Sequence, residues 1–182
     1  GKVVFGVVGD STFFHSGMTG AAEIVYNKGR MIPCVLDNRI TGMTGHQDNP
    51  GTGYTLQGDP TALLSVEKIL TALGFAPVLT VDPQDLKAMK AAVDQAVAAL
   101  DAGQQPAIVT RRPCLLIKRD KFRKGMCRVN ADKCRSCRSC LKVGCPAISL
   151  ENGKAVIDRT QCVGCTVCAQ VCPFDAIEKE EK

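Results

Sequence analysis

Cys134-x2-Cys137-x2-Cys140-x4-Cys145-Pro146 and Cys162-x2-Cys165-x2-Cys168-x3-Cys172-Pro173 are two copies of one spacing, and they decide the fold of the last third of the chain. Four thiolates so placed are the ligand set of a [4Fe–4S] cube. They are soft, charged donors for iron, and the two-residue gaps let a tight loop wrap three corners of the cage. The first three cysteines recur 28 positions later, so the region is an internal repeat. A short strand accompanies each cysteine loop, Cys127 to Asn130 with the first and Ala155 to Ile157 with the second. Residues 126–182 are therefore expected to form a small α+β domain with pseudo-twofold symmetry. A domain of this size buries little surface, so bound clusters must supply much of its folding free energy.

In a bacterial-type ferredoxin with two clusters, the last cysteine of each motif ligates the other cube. That rule assigns Cys134, Cys137, Cys140 and Cys172 to one [4Fe–4S] cluster, and Cys162, Cys165, Cys168 and Cys145 to the other. Pro146 and Pro173 bend the chain away after the crossing ligand and remove a donor that would go unsatisfied there. The first motif carries one extra residue before its last cysteine. Zinc sites made of four cysteines also use CxxC pairs, but CxxCxxC with a distant Cys-Pro is not their usual form. One-electron transfer is the chemistry this tail implies. Of the remaining cysteines, Cys34 and Cys114 lie in apolar surroundings and read as small buried hydrophobes. Cys127 is near enough to pack beside a cube and is not assigned as a ligand.

The 182 residues have room for two domains, and 45% of them are hydrophobic, enough for a real core. Aromatic residues make up only 4%, with no Trp, which gives stacking on nucleic-acid bases little support. The formal charge of +5 counts cysteines as neutral; cluster-bound thiolates would reduce it. Eleven cysteines with no visible secretory signal fit a reducing, cytoplasmic setting better than a disulfide scaffold. No apolar run reaches the length of a membrane span. A chain that opens at Gly1, directly in a strand, reads as a piece of something longer.

Residues 1–112 alternate strands and helices, the pattern of a parallel sheet covered on both faces. Val3 to Val8 reads as a buried parallel strand ending in Gly9-Asp10. A helix is expected from about Ser16 to Lys28, stopped at Gly29. Met31 to Leu36 is the next strand, followed by a polar loop from Arg39 to Gly58 with five glycines. Asp59-Pro60 and Asp82-Pro83 are expected to open helices running to about Leu73 and Leu100. Val78 to Val81 and Pro106 to Thr110 are further strands. Residues 113–125 read as a basic linker. Strand ends in a parallel sheet converge on the crevice where ligands bind. There the Asp10 carboxylate and the Asn38 amide oxygen are a donor pair suited to Mg²⁺. Ser11 and Thr12 offer hydroxyls, and the following helix offers its first amides to a phosphate. Gly9-Asp10 and Asp37-Asn38 can also be nothing more than turns.

The stretch Gly9-Asp10-Ser11…Asp37-Asn38-Arg39-Ile40 resembles the thiamine-diphosphate motif, with Ser11 where that motif usually has Gly. The fuller stretches, residues 9–17 and 36–50, are similar to those of the 2-oxoacid:ferredoxin oxidoreductases, and most of all to the large subunit of the members that oxidise indolepyruvate. The resemblance covers essentially the whole chain. It implies a three-layer thiamine-diphosphate-binding sheet, partial here, followed by a ferredoxin domain with two [4Fe–4S] clusters. It implies Mg²⁺ held by Asp10, the Asn38 side chain and the Ile40 carbonyl, with Ser11, Thr12, Thr41 and Gly42 around the diphosphate. The implied reaction is CoA-dependent oxidative decarboxylation of an aryl pyruvate, with electrons passed to ferredoxin. Pyruvate or a branched oxoacid is the alternative substrate. A two-cluster electron carrier with a non-catalytic docking domain is the competing class. The implied partners are a beta subunit and a pyrimidine-binding domain that these residues do not contain, so the fragment alone is expected to be inactive. His15 and His46 lie in the motif loops and are the candidates for acid–base assistance, against a plain surface role. Met43 is a candidate for packing on the cofactor. Arg39, Arg111 and Arg112 read as solvated or linker charges rather than anchors for an oxoacid or CoA.

Overall fold

The computed structural model describes residues 2–117 and 125–180. Two compact units divide the chain, residues 1–121 and 122–182. Of the basic linker expected over 113–125, residues 118–124 lie outside the described residues.

The first unit is a parallel sheet of β1 (Val4–Gly9), β2 (Met31–Asp37), β3 (Val78–Val81) and β4 (Ala107–Arg111) in the order β1-β2-β4-β3. Alternation along β2 and β4 sends Ile32, Cys34 and Ile108 into one core and Val35, Ala107 and Val109 into another. The first core is closed by α4 (Leu86–Asp101), whose Ala92, Ala96 and Leu100 recur at four-residue spacing on one face. The second is closed by Phe13 and Phe14 and by Leu70 of α3 (Val66–Ala72). Helices thus cover both faces, as continuous apolar runs in central parallel strands require. Cys34 is 7% exposed and packs as a hydrophobe.

β1 corrects the expectation of a buried strand. Among the described residues it pairs only with β2, and Val4, Phe5 and Val7 are 47%, 41% and 64% exposed. An apolar run does not distinguish a central strand from an edge strand, because that depends on what lies beside it.

All three expected helix starts move. The first helix begins at Asp10 itself, as α1 (Asp10–Thr12), a π turn over Phe13–Gly17, and α2 (Met18–Tyr26). The wider turn accompanies the burial of two consecutive aromatics, Phe13 and Phe14, at 1% and 7% exposure. The helix ends at Tyr26, three residues before the expected glycine stop, and Lys28 beyond it takes the left-handed conformation at φ 52°. α3 is capped by Ser65, which accepts from the Lys68 amide at 3.2 Å, and not by Asp59. Residues 60–64 are held against the long loop instead, with Thr61 N–H donating to Gly53 and Leu64 N–H to Pro50. α4 is capped by Asp85, because Asp82 spends its carboxylate on the Gln84 amide in a preceding turn.

The second unit contains two antiparallel pairs. β5 (Met126–Val129) pairs with β8 (Ile177–Glu180), and β6 (Ile148–Glu151) with β7 (Lys154–Ile157). Asn152-Gly153, both at positive φ, make the tight β6–β7 turn. The sequence reading names β5 and β7 and omits the strands they pair with. Residues 139–143 form a 3-10 turn in the first cysteine loop, and α5 (Val167–Gln170) occupies the second. Among the described residues, no helix is long and apolar enough to cross a membrane.

Candidate cofactor and cluster sites

Two cavities organise the second unit. One, with about 370 Å³ of empty space, is lined by Cys134, Cys137, Cys140 and Cys172. The other, about 320 Å³, is lined by Cys162, Cys165, Cys168 and Cys145, together with Cys127. Each set contains three cysteines of one motif and the Cys-Pro cysteine of the other, as the crossing rule requires. The extra residue before Cys145 does not remove it from the second set. The two loops repeat in backbone as well as sequence. Ser136 and Arg138 lie in the left-handed region at φ 57° and 61°, and Gly164 and Thr166, 28 positions on, at 68° and 63°.

The sulfurs stand around a space rather than on a point: among the described residues, no three His, Cys, Asp or Glu side chains are placed to hold a single ion. Backbone amides aim at the sulfurs. The Cys127 amide donates to Cys162 Sγ at 3.3 Å and the Ala176 amide to Cys172 Sγ at 3.4 Å. The amides of Ala155 and Ser136 pull Cys134 below the usual thiol range, and the Ser139 amide and hydroxyl do the same for Cys137. Burial pushes Cys140 up, with Cys172, Cys137 and Cys134 adding to the rise. Burial, with Cys127 alongside, pushes Cys168 up to about 12. Crowded buried sulfurs that oppose one another's ionisation suit a cationic iron core, which supplies the missing counter-charge. Cys127 occupies the repeat position of Ala155, so the second cavity has a thiol where the first has a methyl.

In the first unit, parallel pairing of Gly9 with Leu36 brings Asp10 beside Asp37 at the carboxyl end of the sheet. Asp10 is 3% exposed. Its Oδ1 accepts from the Ser11 amide at 2.8 Å and its Oδ2 from Asn49 Nδ2 at 3.3 Å. Burial raises the Asp10 pKa, and Asp37 adds to the rise against these hydrogen bonds. A buried carboxylate under that pressure favours a nearby cation. Asn38 Oδ1 accepts from the Ile40 amide at 3.1 Å, which fixes the loop that carries the Ile40 carbonyl. Asn49 Nδ2 also reaches Thr41 Oγ1 at 3.4 Å, so one amide ties Asp10 to the start of that loop. The structure therefore brings Asp10, Asn38, Ile40 and Thr41 together at one sheet end. Ser11 and Gly42 are half-buried nearby in sequence, whereas Gly9, Thr12, His15 and His46 are exposed. His15 sits in the π turn and His46 at positive φ in the loop.

Sequence reasoning missed Asn49. It is buried, its Oδ1 accepts from the Gly51 amide at 2.9 Å, and nothing in the local sequence marks its return to a carboxylate 39 residues away. Gly51 is required there, because an added Cβ would meet the Phe14 ring at 2.7 Å.

One reading is corrected, that of the arginines; Met43 is fully exposed among the described residues, which leaves it open to a cofactor. The three arginines are not solvated charges. Arg111 Nε holds the buried Asp37 at 2.8 Å while its Nη1 holds Glu67 at 2.5 Å. Arg39 contacts Asp37 and the Gly51 carbonyl, and Arg112 pairs with Asp82. They brace the sheet end, and the expected linker begins still tied to it, the Cys114 amide donating to Asn38 O at 2.9 Å.

Residues 1–110 match the family described as thiamine pyrophosphate enzyme, C-terminal TPP binding domain. The chain belongs to the thiamine pyrophosphate enzymes. Residues 155–178, which include the second cysteine motif, match the 4Fe-4S binding domain. This thiamine pyrophosphate enzyme is similar to indolepyruvate oxidoreductase subunit IorA of Pyrococcus abyssi, 41% identical over 98% of this chain and 28% of the relative. The same subunit of Pyrococcus horikoshii is 39% identical over 98% and 28%. That of Methanothermobacter marburgensis is 38% identical over 96% and 28%. The chain thus spans a little over a quarter of the length of the curated relatives it matches.

Proposed function

We propose that this chain provides part of the thiamine-diphosphate site and the electron outlet of a 2-oxoacid:ferredoxin oxidoreductase, which oxidises indolepyruvate with CoA as acyl acceptor. The observation that carries the reading is the sharing of cysteines between the two cavities, in a chain whose other unit is a thiamine-pyrophosphate-binding domain. The similarity to IorA subunits supports indolepyruvate over pyruvate or a branched oxoacid.

In this reading Asp10, the Asn38 side chain and the Ile40 carbonyl hold Mg²⁺. Gly9, Ser11, Thr12, Thr41 and Gly42 surround the diphosphate. When bound, thiamine diphosphate supplies the nucleophilic carbon and electron sink that decarboxylation needs. Asn49 orients Asp10, and the Asp37–Arg111–Glu67 chain keeps the sheet end rigid. His15 and His46 move protons at the substrate once the rest of the assembly encloses them. Cys134, Cys137, Cys140 and Cys172 hold one [4Fe–4S] cluster, and Cys162, Cys165, Cys168 and Cys145 the other. A beta subunit and a pyrimidine-binding domain complete the site, ferredoxin takes the electrons, and the setting is cytoplasmic.

The test is turnover of the full-length complex, prepared without oxygen, on indolepyruvate, phenylpyruvate and pyruvate with a viologen acceptor. Aryl pyruvates are expected to be turned over far faster than pyruvate. The clusters are expected to account for eight irons and eight sulfides in this tail. Preference for pyruvate reverses the substrate assignment. Turnover untouched by Asp10→Ala makes this unit a docking module and leaves the tail a carrier.

A further inference from the structure

The two cysteine loops have nearly the same backbone and opposite surfaces. Between its first and last cysteine the first loop carries Arg135, Arg138 and Lys142 and no acid, and all three are exposed. At the matching positions, 28 residues on, the second loop has Val163, Thr166 and Gln170, and it has no charge at all. Elsewhere in the unit Arg128 and Lys133 are paired to Glu178, and Arg159 to Glu180. Asp175 lies on the Lys133 side. Arg135, Arg138 and Lys142 form no ion pair among the described residues. Cys137, between Arg135 and Arg138 in sequence, is the one exposed cysteine of the eleven. Phe174, 43% exposed, flanks the same cavity and adds an apolar contact.

We propose that this loop is the docking surface for a small acidic electron-carrier protein, and that electrons leave the chain at the Cys137 edge of the first cavity. The inference rests on the reading of both cavities as [4Fe–4S] sites and adds direction to it. Three unpaired cations in the loop of an exposed ligand steer an acidic partner to the point where the distance between redox centres is shortest. The step is one electron from the reduced cluster to the oxidised centre of the carrier; no bond or proton moves. The uncharged loop has no comparable means of attracting a partner.

The experiment uses the full-length complex with Arg135→Val, Arg138→Thr and Lys142→Gln combined. These residues already occupy the matching places in the second loop, including Thr166 at the same left-handed φ as Arg138. Substrate-driven reduction of an acidic ferredoxin and of methyl viologen is measured at low and high salt. At low salt, kcat/KM for the acidic carrier should fall about tenfold or more. Viologen reduction and cluster content should stay unchanged, and the difference from wild type should close as salt screens the charges. Equal rates with the acidic carrier in wild type and variant overturn the proposal. So does a matching loss with viologen, or a rise confined to the KM for CoA, which would make the cations a phosphate site. Wild-type complex lacking iron and sulfide would instead sink the cluster reading itself.

Discussion

Asp10 is asked to be a charge in a place that resists charge. It is buried, near Asp37, and held above the ordinary carboxylate range by that burial. For a carboxylate raised in the folded state, the stabilising contribution is present below the unfolded pKa and lost as pH rises through the folded one. At neutral pH the ionised group therefore costs stability unless a cation answers it. Asp10→Asn should remove the rise in melting temperature that Mg²⁺ and thiamine diphosphate give the wild-type complex at pH 7. Thermal scans with and without both ligands measure this, and a variant that still gains from Mg²⁺ moves the metal elsewhere. Cys127 poses the matching question in the tail. Its side chain is hydrogen-bonded to Cys168, and in the proposed cluster, where iron replaces the Cys168 proton, only Cys127 can donate in that pair. A donor to a ligand sulfur raises cluster potential. Cys127→Ala, which copies Ala155, should leave iron content intact and move one cluster to a more negative potential with the other unchanged. An EPR-monitored redox titration reads this, and two unmoved potentials would reduce Cys127 to packing.

Between elements, the decisive link is the ion chain from α3 through β4 to β2. Burial alone would raise the Glu67 pKa, but the hydrogen bonds from Arg111 and Ser65 outweigh it and hold the group at about 2. A depressed carboxylate contributes stability that is complete above its unfolded value, near 4.5, and disappears as pH falls to about 2. Glu67→Gln should therefore lower stability at pH 7 and flatten the acid limb of the melting curve between those values. An unchanged acid limb would mean that Arg111 rests on Asp37 alone. None of this was legible in the chain. Arg111 and Arg112 sit in a run dense in basic residues, and only the β2–β4 register shows that Asp37 lies beside Arg111. Helix starts were unreadable for a related reason. Asp59, Ser65, Asp82 and Asp85 are all good caps, and the loop's own hydrogen bonds decide which two are used. Strands were legible where they run through the sheet centre. The cysteines that line the two cavities were legible because a cube takes three neighbours within seven residues, whereas Asn49 depends on a contact across 39.

At the scale of the whole molecule, the two units are held together by different forces. The first has a conventional interior, with Phe13, Phe75, Leu70, Ile32 and Ile108 at most 1% exposed. The second has four cysteines among its ten buried core residues, the other six being Ala and Ile, with Val129, Leu141 and Leu150 packed at the margin. Two cysteine-lined hollows open in so small a unit. With iron bound, eight thiolates become the centre of the core. Without it, the raised pKa of Cys140 and Cys168 shows how poorly their ionised forms are tolerated. Anaerobic removal of iron from the full-length complex should therefore unfold residues 125–180 and leave the parallel sheet intact. Limited proteolysis followed by mass spectrometry would then find cuts across the cysteine loops and β6–β7, while residues 2–117 stay protected to the extent seen in the loaded complex. A tail that resists cleavage after its iron and sulfide are gone would show that its apolar contacts suffice, and that the clusters contribute electrons but not the fold.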